Sequence, residues 1–333
     1  MFETDLIKRA GNEATSVNPA IGVDLKMTEH GSDWLWAVFS VFGLVSLIYA
    51  VLFVVYEHRG TTIHRYAVAG PLSISLVLAF SYFTMASNLG WTAVQAEFNN
   101  LTTPNQSEVP GIRQIFYAKY VAWFLTWPVL LYLTELTGVV TRDSSSIMGP
   151  RPWSFFDLAH GLFLQICGSL FFIIGLLVGS LIQSSYKWGY WTMAAFAQLL
   201  VTYLIFKHQL VDLTISGIKL VLLVFTHVCI YLYLVAWGLS DGGNVITVDS
   251  AHVFFGVLDL LIFVVVPALL VATATSSGVM PTFFSRHNGN SDLEKQAASD
   301  EAIRQSGETA VPSTTVAPRT NNIGIATQEP VAA

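Results

Sequence analysis

The chain has 333 residues, of which 53% are hydrophobic and 11% charged, and its mean hydropathy is +0.57. So apolar a composition excludes an ordinary soluble domain and indicates an integral membrane protein. The formal charge of −6 sits largely at the termini, which argues against a nucleic-acid partner and leaves the lipid bilayer as the expected surroundings.

Residues 1–32 are polar and read as an extracellular N-terminal segment with no visible signal peptide. A bilayer core is crossed by about 20 apolar helical residues, and runs at about 34–55, 66–88, 114–139, 153–182, 187–206, 216–239 and 251–275 qualify. A spanning backbone must satisfy its own hydrogen bonds, and these runs lack the polar alternation of a membrane barrel. The expected fold is therefore an all-α membrane protein, a seven-transmembrane-helix bundle over residues 33–284, with short connections that make successive helices antiparallel. From 285 to 333 the chain turns polar ("AVPSTTVAPRTNNIG") and is expected to be a disordered cytoplasmic tail.

Basic residues set the expected orientation. Arg59, Arg65, Arg142, Arg151, Lys207 and Arg286 follow the odd-numbered runs, which places those ends in the cytoplasm and the N-terminus outside. The opposite side carries Lys26, Arg113 and Lys187 together with Glu97, Glu108, Asp241 and Asp249. Two sequons, at Asn100 and Asn105, fall in the loop after the second run, where this topology permits glycosylation. Cys167 and Cys229 lie inside apolar runs and read as small core residues, not as a disulfide or zinc framework.

The third run reads "YAKYVAWFLTWPVLLYLTELTGVV", with Trp123, Thr126 and Pro128 in the pattern W-x-x-T-x-P. A proline inside a membrane helix is tolerated and commonly bends it. The sixth run ends in "YLVAWGLSDGGNVIT", and the seventh contains "GVLDLLIFVVVP", with Asp259 deep in an apolar stretch. Together these segments closely resemble the microbial-type rhodopsins, over the second to the seventh runs.

In that family a lysine one turn after the helix-seven aspartate holds retinal as a protonated Schiff base. The third helix supplies an arginine, a proton-accepting carboxylate and, in pumps, a carboxylate donor. The resemblance puts Phe263 at the lysine position, Lys119 at the arginine, Ala122 at the acceptor and Leu133 at the donor, while Asp259 keeps its place. The lysines of the chain are Lys8, Lys26, Lys119, Lys187, Lys207, Lys219 and Lys295, and none lies in the seventh run. A Schiff base needs an amine inside the pocket. Covalent retinal is therefore not expected, and light-driven pumping loses its parts.

The same departure marks the fungal opsin-related subgroup of membrane heat-shock type, which "SNLGW" and "AWGLSDGGNVI" also resemble. That resemblance implies a stress-response or regulatory protein of the plasma membrane that restrains the proton ATPase, and it allows a homo-oligomer. The alternative expectation is a proton or ion transporter or channel using Asp259; a light sensor with a noncovalent chromophore comes third. Enzyme chemistry is not expected, because the sequence offers no catalytic triad, phosphate-binding loop or metal-ligand cluster.

An intramembrane aspartate costs about 2.5 to 3.5 kcal/mol on insertion scales and needs company. Family position brings Lys119, Tyr82 and Tyr233 to Asp259, as a buried network whose plainest role is to fix helix packing. Trp123, Thr126 and Trp237, with Trp127, Trp188 and Trp191, resemble the lining of a retinal pocket. Phe263 is expected to project into the space where the lysine stem ran. Glu135, Asp157 and His160 read as interfacial groups at helix ends, with His160 one turn after Asp157 and a proton-entry cluster as the alternative, and His227 as a satisfied core histidine, with a pH sensor as the alternative.

Overall fold

The computed structural model describes residues 12–59, 62–98, 100–101, 111–140 and 155–277. The expected tail, Asn105, Glu108, Arg142, Arg151 and Arg286 lie outside these residues, as does the side chain of Asp157. After a single helical turn, α1 (Ala14–Val17), come α2 (Glu29–Arg59), α3 (Thr62–Ala86), α4 (Ala118–Val140), α5 (Phe155–Ser180), α6 (Lys187–Phe206) and α7 (Ile218–Trp237). The last span is α8 (Val248–Leu260) continued by α9 (Val266–Ser277). Among the described residues 7 spans are long and apolar enough to cross a bilayer, matching the runs read from sequence.

The spans pack as a closed ring in chain order, with α8 returning to α2. The outer face is apolar: Phe80 is 74% exposed and Leu44 60%. Against lipid these side chains lose nothing by exposure, so the bundle is held by interior packing and polar contacts more than by hydrophobic transfer. The interior is built from Trp123, Trp127, Trp237, Tyr82, Tyr120, Tyr233, Phe42, Phe172 and Phe263, all fully buried.

Three details depart from the sequence reading. The loop after α3 forms a hairpin of β1 (Trp91–Gln95) and β2 (Ile112–Phe116), antiparallel, with Trp91 opposite Phe116 and Gln95 opposite Ile112. The third span therefore begins at Ala118, since residues 114–116 of the expected run belong to β2. The first span begins at Glu29, so residues 29–32 of the expected N-terminal segment are helical. That start is fixed by Asp249 on α8, which accepts from the backbone N–H of Thr28 at 2.9 Å and from its hydroxyl at 2.5 Å. Gly31 lies so close to the Asp249 carboxylate that a Cβ there would collide with it.

π-helical turns extend α6 (Lys207–Asp212), extend α7 (Gly238–Gly242) and join α8 to α9 (Leu261–Val265). Such turns reorient side chains and concentrate at functional sites. Here they place His208 and Gln209, Asp241, and Phe263. Cys229 is buried as expected, but Cys167 is exposed on the outer face of α5, where a small apolar thiol suits a lipid surface.

Candidate functional site

Asp259, on α8, is 1% exposed and held by three donors from three other positions in the bundle. Tyr82 on α3 donates its hydroxyl to Oδ2 at 2.5 Å. Tyr233 on α7 donates to Oδ1 at 2.6 Å, and the indole N–H of Trp123 on α4 donates to the same oxygen at 2.9 Å. An indole nitrogen can only donate, so Oδ1 must present a lone pair there. The carboxylate thus ties four helices together through charge-assisted bonds, each worth about 1.5 to 3 kcal/mol. Trp123, expected as pocket lining, is a ligand of the carboxylate instead.

Lys119 is not a direct partner of Asp259, contrary to the expectation from family position. Its ammonium bonds Asp241 Oδ2 at 2.6 Å and lies 4.2 Å from the centre of the Phe255 ring. The physical reason is twofold. Lys119 stands one turn before Trp123, toward the hairpin, and the π turn after α7 swings Asp241 inward to meet it. Trp123 and Phe255, their rings 5.4 Å apart, fill the level between the two acids.

Asp241 collects a second network that the sequence reading missed. The Tyr120 hydroxyl donates to Oδ2 at 2.7 Å and lies 2.7 Å from Ser180 Oγ. The Trp237 indole donates to that same Ser180 oxygen at 2.7 Å. Arg113 on β2 brings its Nε to 4.0 Å from Asp241 Oδ1 while Nη1 donates to Asn244 Oδ1 and to the Ile246 carbonyl, each at 2.8 Å. Burial pulls the Arg113 pKa below its usual value, and Asp241 opposes that pull. Nearby, Lys187 lies 3.5 Å from Glu97 and donates to the Gly242 carbonyl at 3.3 Å. This end of the bundle is closed by Arg113 and Lys119 about Asp241 and by Lys187 beside Glu97.

The positions that the resemblance gives to the retinal lysine, the proton acceptor and the donor carry Phe263, Ala122 and Leu133, all apolar and buried. Phe263, in the π turn between α8 and α9, is 1% exposed and meets Trp127 edge-on at 5.7 Å. Trp127 also contacts Tyr233 at 5.5 Å and Phe172 at 5.8 Å. Ala122 and Leu133 are buried on α4, and Thr126 donates its hydroxyl back to the Ala122 carbonyl at 2.9 Å. Trp191 donates to the Leu234 carbonyl at 3.1 Å and Trp188 to Glu97 at 3.2 Å.

Glu135 is buried by protein, 2% exposed. It takes donors from Gln165 and Gln209, with His208 Nδ1 at 2.6 Å, and the described contacts do not join it to His160, which is exposed. His227 is buried, its Nδ1 2.9 Å from the Leu223 carbonyl. The Asn100 side-chain amide donates to the Gly243 carbonyl at 2.8 Å, which links the hairpin loop to the end of α7.

Residues 33–277 match the family described as bacteriorhodopsin-like protein. The chain belongs to the bacteriorhodopsin-like proteins. It is 45% identical over 312 residues to the 30 kDa heat shock protein of Saccharomyces cerevisiae, a match that covers 90% of this chain and 92% of that relative. It is 36% identical over 272 residues to the opsin-like protein carO of Fusarium fujikuroi, covering 78% and 80% respectively. Among solved structures, a light-driven proton pump from Leptosphaeria maculans superposes with a TM-score of 0.61 at 24% identity, covering 75% of this chain and 96% of the pump. That likeness is one of fold.

Retinal is the group this fold commonly holds, and the residues of this bacteriorhodopsin-like protein do not fit it as a covalent ligand. The last span, Val248–Ser277, contains no lysine, and the turn where the amine would stand carries the packed ring of Phe263. No step of chemistry can be routed through it.

Proposed function

We propose that this bacteriorhodopsin-like protein works without covalent retinal, as a stress-response or regulatory protein acting on plasma-membrane proton homeostasis. The observation that carries the reading is the state of the old chromophore site. Asp259 is enclosed by Tyr82, Tyr233 and Trp123, and Phe263 packs on Trp127 where a lysine would be needed. A carboxylate bound by three donors from three helices is suited to fixing helix positions. It is poorly suited to releasing and rebinding an ion, which counts against transport through Asp259. The extensive match to the yeast 30 kDa heat shock protein supports the stress association, and the proton ATPase is the partner proposed from that kinship.

Affinity purification of the tagged full chain from stressed cells tests the partner. The expected result is recovery of the plasma-membrane proton ATPase, with the N-terminus mapping outside the cell. Stressed cells in which the ATPase never co-purifies, and in which deletion of the protein leaves ATPase activity unchanged, refute it.

A further inference from the structure

A cavity of about 240 Å³ opens between α4, α5 and α6, lined by Glu135, His160, Gln165, Lys207, His208 and Asp212 among others. Its inner wall is a built polar site. Gln165 Nε2 donates to Glu135 Oε1 at 2.7 Å, Gln209 Nε2 donates to Oε2 at 3.0 Å, and His208 Nδ1 lies 2.6 Å from Oε2. Because the carboxylate calls for a donor, the Gln165 amide has one orientation, with its nitrogen on Glu135 and its carbonyl oxygen turned away. That oxygen is buried and has no hydrogen-bond partner among the described residues. The same is true of the Ser169 hydroxyl, one turn further along α5, and of both amide atoms of Gln198 on α6. Ser169 and Gln198 are each 0% exposed.

Helix register brings these groups to one level. A Cβ built at Gly168 would meet Val201 and the Ala197 carbonyl, and one at Gly175 would meet Ala194 and the Tyr190 carbonyl. The two helices therefore run antiparallel with residue 169 level with residue 198. One turn further on, Phe172 meets Trp127 with ring centres 5.8 Å apart and closes the level with aromatic packing. Four orphaned polar atoms thus line up between the cavity and an aromatic floor. Leaving such atoms unbonded carries a desolvation penalty, and buried water is the usual remedy for groups so placed. The cavity is large enough to hold water.

We infer that water continues from this cavity past Gln165 to Ser169 and Gln198 and stops at Trp127 and Phe172, forming a dead-end inlet whose ligand is water and which opens to one side of the membrane only. The inlet shares no residue with the Asp259 cage or the Lys119–Asp241 pair. It goes beyond the proposed function and does not depend on it.

Cysteine accessibility in the full-length chain tests the inlet, after Cys167→Ser and Cys229→Ala remove the native thiols. Single cysteines are placed at Gly161, which lines the cavity and has open space around its Cβ position, at Ser169, and at Ile173 near the aromatic floor. A small charged methanethiosulfonate reacts with a hydrated thiolate, so Ser169→Cys should react about tenfold or more faster than Ile173→Cys, as Gly161→Cys also should. In sealed, oriented vesicles the labelling should occur from one side. Adding Gly161→Phe to the Ser169→Cys chain should narrow the mouth and slow the reaction. The inference is overturned if Ser169→Cys is as slow as Ile173→Cys in chains that elute as the parent does. It is equally overturned if Gly161→Cys is inert, if both sides label alike, or if Gly161→Phe changes nothing.

Discussion

Asp241→Asn is the sharpest perturbation of the bundle's closed end. It preserves shape and removes the one charge that Lys119 bonds at 2.6 Å and that Arg113 Nε faces at 4.0 Å. The side chains of Lys119, Arg113 and Asp241 are 7%, 2% and 4% exposed, so water cannot take over the lost interaction. Breaking a buried ion pair by removing one partner costs about 3 to 5 kcal/mol. For a helical body of this size a kilocalorie moves the unfolding midpoint by about 2 to 4 °C, which predicts a fall of roughly 6 to 20 °C. Thermal unfolding of the purified chain in detergent, followed by tryptophan fluorescence, measures it. Lys119→Met should cost a similar amount, because it strips Asp241 of its closest cation. The double change Lys119→Met with Asp241→Leu should recover part of the loss, since it removes both members of the Lys119–Asp241 pair while leaving Arg113 without its carboxylate. An Asp241→Asn midpoint within about 2 °C of the parent, or a double variant no better than the singles, would refute the reasoning.

The other sites give smaller, distinct effects. Tyr82→Phe removes the donor on Asp259 Oδ2 and should cost about 1.5 to 3 kcal/mol in the same assay, whereas Tyr203→Phe on the outer face of α6 should cost much less. Phe263→Ala should cost about 3 to 5 kcal/mol by leaving a cavity against Trp127; a near-neutral result would mean that the ring does not fill the site. Gly138→Val should destabilise by about 1 to 3 kcal/mol, because its Cβ would strike the Gln209 amide that donates to Glu135, and Gln209→Ala in the same chain should relieve the clash.

The sequence disclosed the spans because about 20 apolar residues in a row have few other uses. It also disclosed the tyrosines at Asp259, since both sit within runs whose order around the bundle is fixed by the fold. Asp241 was counted only among the charges of the outer side; the π turn after α7 brings its carboxylate inward to Lys119. Lys119 was assigned to the wrong acid for the same reason: sequence position gives the level of a side chain on its helix, not which of two carboxylates lies at that level. Glu135 near the end of a span reads as interfacial, yet the π turn of α6 folds His208 and Gln209 over it. The hairpin was hidden by its brevity and because neither "WTAVQ" nor "IRQIF" alternates apolar with polar residues.

The central claim is that the rhodopsin bundle persists here with its chromophore site converted to packing and hydrogen bonds. Adding all-trans retinal to the purified full chain in the dark, and recording the absorption spectrum before and after hydroxylamine, tests it directly. The account predicts only the band of free retinal, unshifted, with no species that hydroxylamine bleaches. A red-shifted visible band that hydroxylamine destroys would require a Schiff base on an amine of this chain, and would contradict the claim.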